Sequence, residues 1–333
     1  MADFNRSTRV VSTRRYPRLT VIVTAITSLF VAARAIATES ATQQVFSSPA
    51  AAAAALVAAA KNDDMNAFRS ILGPDAKEVV SSGDPVADNN ARDTLVAKYN
   101  QMRRLAYDDQ GRVILYLGVD NWPLPIPIVK KDQGWIFDTK SGKQELLYRR
   151  IGQNELFTIG VLQGLVIAQR EYANEIRDGG GVKQFAQKIQ SSKGKRDGLY
   201  WPTAAGEPES PIGPLIAQAT AQGYKTGSSA PIPFHGYYYR ILTRQGKNAP
   251  GGAKNYIVDG KMTKGFAFIA YPSAYRSSGV MTFMINQDGV LVQKDLGPDT
   301  IKRASQIKEF NPRRTWDQEI IRPDEALEAN RSQ

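Results

Sequence analysis

Histidine and cysteine are the residue types whose scarcity most restricts the chemistry of this chain. It has 333 residues, a single histidine, His235, and no cysteine. Thiol catalysis, disulfides, iron–sulfur clusters and a zinc site built mainly from Cys and His are therefore excluded. A histidine-dependent acid–base mechanism would have to use His235, which lies in the segment PIPFHG at the entry to an aromatic strand. The same position also suits a histidine that hydrogen-bonds a backbone carbonyl and fixes the turn.

Other catalytic patterns in the chain are weak. The residues at 192–195 match S-x-x-K and those at 225–227 match K-T-G, a pair found in penicillin-binding proteins, but no S-x-N element lies between them. No G-x-S-x-G, phosphate-binding loop or dinucleotide fingerprint is present. Asp197 is the carboxylate that would accompany His235 in a hydrolase. The sequence identifies no catalytic set, and we expect no cofactor and no metal.

Aromatic side chains form the main binding candidate. The segments LYWP at 199–202 and YYY at 237–239 could stack on a glycan or a peptide. Because successive residues of a strand face opposite sides of a sheet, at least one of the three tyrosines is expected in the core. We predict a site for a ligand or partner where these segments meet. Its residues are Trp122, Trp135, Tyr200, Trp201, His235 and Tyr237.

Three carboxylates adjoin aromatic or strand-end motifs and are further candidates. They are Asp120, Asp138 and Glu155. Their spacing alone fixes no geometry, so the sequence assigns them no role.

The first 37 residues are typical of an export signal. Five arginines precede an apolar stretch at residues 19–30, and Ala35-Ile36-Ala37 offers a small-x-small cleavage site. The apolar run ends at Arg34, short of the ~20 residues that a spanning helix needs. We expect cleavage after Ala37 and a periplasmic or secreted protein with no stable membrane span, the alternative being an uncleaved anchor. Arg14-Arg15 leaves twin-arginine export open beside the general secretory route.

Much of the positive charge belongs to this signal. The whole chain carries a formal charge of +11, and the signal holds six arginines and one aspartate, which leaves +6 for residues 38–333. The remaining basic clusters are short and have no interleaved aromatic residues. We therefore interpret them as solvated surface and expect no nucleic-acid binding.

Residues 38–150 are predicted to form a small α+β domain. Ser47 or Ser48 followed by Pro49 starts a first helix, and apolar residues at helical spacing predict a second over Met65–Leu72. A third helix is predicted at 91–104, strands at 113–119 and 135–137, and a helix near 143–150. The order resembles, by analogy alone, the cystatin-like cone of nuclear-transport-factor-like domains.

Residues 151–312 are predicted to form a second α+β domain. A helix at 154–173 is apolar on nearly every side and is expected to be buried against a sheet. A short helix is predicted at 183–189, and antiparallel strands at 236–243, 254–258, 266–271, 280–286 and 290–294. A long helix followed by an antiparallel meander resembles type IV pilins and pseudopilins, although here a whole domain precedes the helix. Residues 313–333 are predicted to be a mobile tail.

Longer motifs identify a family. They include SSGDPVAD at 81–88, DNWPLPIPIV at 120–129, GWIFDT at 134–139, RIGQNEL at 150–156, RDGLYWP at 196–202 and HGYYYRIL at 235–242. Together they resemble, over residues 42–316, the exported bacterial proteins known as domain of unknown function 2950. The resemblance implies relatives and export but no activity. Members carry an acidic D-x-D-G-D-G loop that resembles a calcium site, whereas this chain has IRDGGG at 176–181 and keeps only Asp178, so we expect no calcium.

These observations favour an exported binding or assembly factor over an enzyme. Its partner would be an envelope protein or a glycan of unknown identity. Two alternatives stay open. One is a periplasmic hydrolase that uses His235 with a carboxylate such as Asp197, and the other is a pseudopilin-like structural subunit that self-associates.

Overall fold

A computed structural model describes residues 43–177, 181–204, 206–225, 232–313 and 315–319. Residues 317–319 are described by their backbone alone. The predicted signal at 1–37 lies outside these residues. The helices are α1 Pro49–Lys61, α2 Met65–Leu72, α3 Ala76–Val80, α4 Pro85–Gln101, α5 Thr139–Ala173, α6 Gly213–Ala221 and α7 Thr300–Gln306. Helices and antiparallel sheets together give the α+β class that the sequence predicted.

The strands form two main sheets, each antiparallel throughout. In the first half they are β1 Arg103–Tyr107, β2 Val113–Leu117, β3 Trp122–Pro123, β4 Ile128–Lys131 and β5 Gly134–Phe137. In the second half they are β6 Tyr237–Leu242, β7 Arg244–Gln245, β8 Lys254–Asn255, β9 Ile257–Val258, β10 Lys261–Met262, β11 Ala267–Pro272, β12 Met281–Asn286, β13 Leu291–Asp295 and β14 Asp317–Glu319. The N-terminal sheet has the order β1-β2-β4-β5 with β3 beside β2, and the C-terminal sheet the order β14-β13-β12-β11-β6.

The N-terminal cluster is the hydrophobic core formed by α1, α2, α3 and the N-terminal sheet. Ser48 caps α1 by accepting the Ala51 N–H at 3.1 Å, and Pro49 occupies the first turn. Asp64 caps α2 in the same way. Four alanines of α1 are buried, so neighbouring helices approach its axis closely. The likeness of this part to a cystatin-like cone stays a prediction.

The C-terminal cluster is the hydrophobic core between the second half of α5 and the C-terminal sheet. Val161, Leu162 and Leu165 of α5 are buried within it. The register pairs Phe268 of β11 with Ile285 of β12 and with Ile241 of β6. This is the long helix packed on an antiparallel meander that the sequence predicted.

Helix α5 differs from its prediction in two respects. The helices predicted near 143–150 and at 154–173 are one continuous helix, because residues on both sides of the predicted break are held by tertiary contacts, from Arg150 to α3 and from Asn154 to Ser278. The helix is buried against the sheet as predicted, but some of its apolar side chains face solvent, since Leu156 is 71% and Ile167 is 56% exposed. The predicted domain boundary at 150 and 151 therefore falls inside a helix, and the division into domains stays a prediction.

Three further regions differ from the sequence prediction in their local structure. The helix predicted at 91–104 is α4, which starts earlier because Asp84-Pro85 supplies a cap and a first-turn proline, and it ends before β1. Residues 183–189 form no helix and instead run extended, with the Phe185 N–H bound to the Met262 carbonyl at 2.8 Å. Residues 317–319 of the predicted tail form β14, paired with β13.

Helix α5 is also long and apolar enough to cross a membrane, judged by length and composition alone. The core helix of a globular protein passes the same test, and a third of the most apolar stretch of α5 is buried inside the protein. The buried part of this stretch packs on β11 and β12.

Candidate functional site

A cavity of about 860 Å³ lies between helix α4 and the N-terminal cluster, and we call it the α4 cavity. Its apolar floor comes from two helices, a strand and the proline-rich segment that follows β3. The floor residues are Leu56, Phe68, Leu72, Leu117, Leu124 and Ile126. Small-molecule sites in proteins are mostly apolar and typically occupy about 300–1,000 Å³. The α4 cavity therefore has the size and lining of a ligand site.

The cavity exists because α4 covers the cluster without filling it. The helix has 17 residues and buries none of them, although Leu95, Val96 and Tyr99 are half-buried against the cluster. Its first half faces the cavity with short side chains such as Ala87 and Ala91. A helix with a broad apolar stripe would have closed this space.

Asp84 anchors the start of α4. This fully buried carboxylate accepts the Val86 and Ala87 N–H groups through Oδ1, each at 3.1 Å, which caps the helix. Its Oδ2 accepts the Tyr224 hydroxyl at 2.8 Å and the Gly236 N–H at 2.9 Å. Because one carboxylate satisfies all four donors, it holds together the start of α4, the segment after α6 and the entry to β6. We call this set of contacts the Asp84 junction.

His235 forms part of the cavity wall and has a left-handed backbone, with φ of 47°. Its ring lies against Phe157 with centroids 3.7 Å apart, and Nε2 hydrogen-bonds Gln222 Oε1 at 2.9 Å, so Nε2 carries the proton. Burial lowers the pKa of His235, and the carboxylate of Asp84 opposes this only in part. The ring is therefore neutral at pH 7. It lies at the wall as a donor to Gln222.

The residue after His235 has to be glycine. Gly236 has φ of 74°, and a Cβ there would come within 2.7 Å of Ser278 Cβ and 2.9 Å of Asn154 Nδ2. Only glycine combines this backbone conformation with so close an approach. The HG pair of the HGYYYRIL motif is thereby explained by the junction with Asp84 and α5.

Charged side chains surround the apolar floor. Four cations line the cavity, and three of them are each paired with a carboxylate. The pairs are Arg92 with Asp63 at 2.9 Å, Lys98 with Asp120 at 2.8 Å and Arg149 with Glu145 at 2.8 Å. The fourth cation is Arg150. The carboxylates Asp88 and Asp93 also line the cavity, which thus combines an apolar interior with a charged boundary of both signs.

Of the six residues predicted as a site, the structure brings two to the cavity. Trp122 and His235 both line it, and the guanidinium of Arg149 lies 5.7 Å from the centre of a Trp122 ring. Trp122 is half-buried, so part of its indole is available to a ligand. These two residues come from distant parts of the sequence, and the fold brings both to the same cavity.

The other four predicted residues lie away from the cavity. Trp135 packs on the N-terminal cluster, where its backbone pairs with that of Phe46. Tyr200 and Trp201 pack on the C-terminal cluster, and Trp201 is 5% exposed with the Arg177 guanidinium 4.9 Å from its ring. Tyr237 is fully buried and donates its hydroxyl to the Met281 carbonyl at 2.9 Å. Trp201 and Tyr237 are core residues, whereas Trp135 and Tyr200 are half-buried at the edges of the two clusters.

Asp197 and Ser192 meet in a surface turn together with Lys188. The Lys188 ammonium is 2.7 Å from both Asp197 Oδ2 and Ser192 Oγ, and the serine hydroxyl donates to the same carboxylate at 3.0 Å. Burial raises the pKa of Asp197, but the hydrogen bonds from Lys188 and Ser192 outweigh it and lower that pKa to about 2. A carboxylate with so low a pKa is a weak base for the Ser192 hydroxyl. The hydrogen bonds of Asp197 and of His235 go to different partners.

The three further carboxylate candidates have structural roles. Asp120 forms the ion pair with Lys98, and Asp138 caps α5 by accepting the Ser141 N–H at 3.2 Å. Glu155 accepts the N–H groups of Val280 and Met281 at 2.8 and 2.9 Å, which fixes α5 to the start of β12. Each of these carboxylates is therefore engaged in a contact that stabilises the fold.

Sequence reasoning missed the two residues that define the site, Asp84 and Arg150. The Asp-Pro pair at 84–85 signals a helix start, which could have placed Asp84 as a cap. Its bonds to Tyr224 and Gly236 depend on contacts across about 150 residues and have no local signal.

No group of three or more His, Asp or Glu side chains is placed to hold a metal within the part of the chain that the structure describes. Asp178, the residue kept from the acidic loop of the family, lies outside the described residues together with Gly179 and Gly180. The expectation of no bound calcium therefore stays a prediction.

Comparison with known proteins identifies the family of the chain. The family model described as "Protein of unknown function (DUF2950)" matches residues 43–319. The chain belongs to the DUF2950 family. This match covers the Asp84 junction, the α4 cavity and both hydrophobic clusters, and it confirms the resemblance read from the motifs. No curated protein and no solved structure matches the chain significantly, and its likeness to pilins stays a prediction.

Proposed function

We propose that this DUF2950 protein is a non-catalytic binding factor of the cell envelope and that the α4 cavity holds its ligand. The single observation that carries the proposal is the cavity of about 860 Å³ with an apolar floor and a polar boundary. Burying apolar ligand surface there would supply the main driving force for binding. Export to the periplasm or the exterior is part of the proposal and rests on the basic, apolar and small-residue segments of the first 37 residues.

The contacts of the candidate catalytic groups support binding over catalysis. His235 is engaged by Gln222 and Phe157, and Asp197 is engaged by Lys188 and Ser192. Neither arrangement places a base beside an activated nucleophile. The hydrolase that uses His235 and Asp197 and the pseudopilin-like subunit stay alternatives from the sequence. An envelope protein or glycan as a further partner also stays a prediction.

Blocking the cavity tests the proposal directly. Ala91 lines the cavity from α4, so Ala91→Trp would obstruct it, whereas Ala97, which lies on the same helix and is exposed like Ala91, does not line the cavity. We expect an apolar fluorescent dye to bind the unmodified protein with a micromolar Kd. Ala91→Trp should weaken this binding about tenfold or more, and the matched Ala97→Trp should leave it unchanged.

Mass spectrometry under native conditions complements the dye. Protein purified from its own envelope should carry an additional small mass that is lost in Ala91→Trp and kept in Ala97→Trp. The proposal is overturned by equal dye affinity in the two variants, or by the absence of both dye binding and a bound mass in a folded protein.

A further inference from the structure

Arg150 differs from the other cations of the α4 cavity because it lacks a carboxylate partner. Within the described residues, its guanidinium bonds only to backbone carbonyls, those of Glu78 at 3.3 Å and of Val79. It is half-buried on the inner side of α5, where the helix meets the end of α3. A carbonyl satisfies a hydrogen bond but does not neutralise a charge.

The carboxylate whose charge acts on Arg150 is Asp88, which also lines the cavity and is hydrogen-bonded to Ser82. Asp88 accepts the Ser82 N–H at 2.9 Å and the Ser82 hydroxyl at 2.6 Å, which closes the first turn of α4. Burial lowers the pKa of Arg150, and the charge of Asp88 opposes this only in part. A guanidinium nevertheless stays protonated in proteins, so the cavity holds a desolvated positive charge. Desolvated charges are costly unless they are paired.

The surroundings of Arg150 restrict the kind of anion that could pair with it. The floor of the cavity next to it is formed by leucine, isoleucine and phenylalanine side chains, and His235 on the wall is neutral and has its Nε2 proton engaged by Gln222. A small inorganic anion would neutralise the charge but leave the floor unfilled. A purely apolar molecule would fill the floor but leave the charge unpaired.

We propose that the α4 cavity binds an anionic amphiphile, a molecule with a single long alkyl chain and a carboxylate or phosphate head, and that Arg150 pairs with the head. The inference rests on the proposed function, since it names the ligand class of the same cavity. The guanidinium presents parallel N–H donors that match a carboxylate or a phosphate in a bidentate manner. The alkyl chain lies against the floor residues Leu72, Leu124 and Ile126.

Comparing head groups on one alkyl chain tests this inference without any substitution. The probes are palmitate, hexadecyl phosphate, hexadecanol and hexadecyltrimethylammonium, each used below its aggregation concentration to displace the apolar dye from the full mature protein. We expect the two anions to bind about tenfold or more tightly than the alcohol, and the ammonium to bind weakest. The relative affinity of palmitate and hexadecyl phosphate then identifies the head group.

Substitution of the arginine gives the second readout. Arg150→Gln should lower the affinity for palmitate about tenfold or more and change the affinity for hexadecanol less than about threefold. The matched control is Arg112→Gln, a half-buried arginine paired with Asp108 in the β1–β2 hairpin, outside the cavity. It should change neither affinity. Circular dichroism establishes that each variant is folded.

The outcomes separate the inference from the function it rests on. Equal binding of palmitate and hexadecanol to the unmodified protein overturns the anionic head and leaves the cavity as an apolar binding site. Equal losses for both probes in folded Arg150→Gln also overturn the pairing with Arg150. Failure of every probe and of the dye overturns the proposed function itself.

Discussion

The two hydrophobic clusters are filled to different extents. In the C-terminal cluster, every residue of the run 266–270 is fully buried, so both faces of β11 are covered by packed side chains. In the N-terminal cluster, α4 covers the sheet and α1 without burying a single residue and leaves a cavity of about 860 Å³. The cavity therefore arises where one covering element has little apolar packing along its length.

The sequence of α4 explains this difference. Its first half, PVADNNARD, offers no broad apolar stripe, whereas the inner face of α5 carries Val161, Leu162, Leu165 and Val166. Since apolar contact along the helix is small, the position of α4 depends on polar contacts. They are the Asp84 junction at its start, Arg92 with Asp63 near its middle and Lys98 with Asp120 near its end.

The largest expected effect comes from removing matched leucines from the two clusters. Leu162→Ala removes a fully buried side chain from the packed C-terminal cluster and should cost about 4 kcal/mol of unfolding free energy. Leu124→Ala enlarges a space that already exists, so fewer contacts are lost and the cost should be about 2 kcal/mol. Urea unfolding of both variants measures the difference. Equal costs would show that the floor of the α4 cavity is packed as densely as the C-terminal cluster.

The next effect concerns the junction that holds α4. Asp84→Ala leaves buried donors of Tyr224 and Gly236 without an acceptor and removes the helix cap, which should cost about 3 kcal/mol. The matched control is Asp64→Ala, which removes only the exposed cap of α2 and should cost about 1 kcal/mol.

Amide hydrogen exchange locates the effect of Asp84→Ala. The N–H groups in the first half of α4 should exchange faster, whereas those of β11 and β12 should change in parallel with global stability only. A uniform increase over both clusters would contradict the view that Asp84 acts by anchoring α4.

The sequence predicted the parts of the fold that depend on local pattern. The cap and first-turn proline of α1, the period of α2 and the apolar runs of β11 and β12 between turn residues are local signals, and each gave the right element. The continuity of α5 was missed because residues 151–153 were left between two predicted helices, while the helix there is held by Ser278 and α3 from outside its own sequence. Helix propensity is a weak prior that tertiary contacts override.

The candidate site was harder to predict because aromatic residues have two uses. Tyr237 and Trp201 carry the same signal as Trp122 and His235, yet the first two are buried and only the last two line the cavity. Composition and spacing do not tell an aromatic core residue from an aromatic cavity residue. Residues such as Arg150 become visible only when the partners of every cation are known.

A smaller effect concerns the pH dependence of stability that His235 causes at the cavity wall. Because burial lowers the pKa of His235 in the folded protein, the unfolded chain binds the proton more readily, and stability falls as the pH drops through about 6.5. We expect the Tm of the unmodified protein to fall between about pH 7.5 and pH 5 by about 2–4 °C more than that of His235→Gln. Parallel Tm profiles would place the ring in a more solvated setting than the contacts with Phe157 and Gln222 indicate.

The smallest effect compares a charged contact from each half of the chain. The pKa of Asp197 is lowered to about 2, so its contribution to stability is complete above about pH 4 and is lost as the pH falls toward 2. Hydrogen bonding to Lys98 lowers the pKa of Asp120 as well, although this carboxylate is exposed to solvent. Asp197→Asn should flatten the pH dependence of unfolding by at most about 1 kcal/mol, since Lys188 is half exposed and its pairing is screened. Asp120→Asn should flatten it less but should speed exchange at the end of α4. If Asp120→Asn left that exchange unchanged, the polar contact at the end of α4 would be incidental, and Asp84 with the Arg92–Asp63 pair would hold the helix over the cavity.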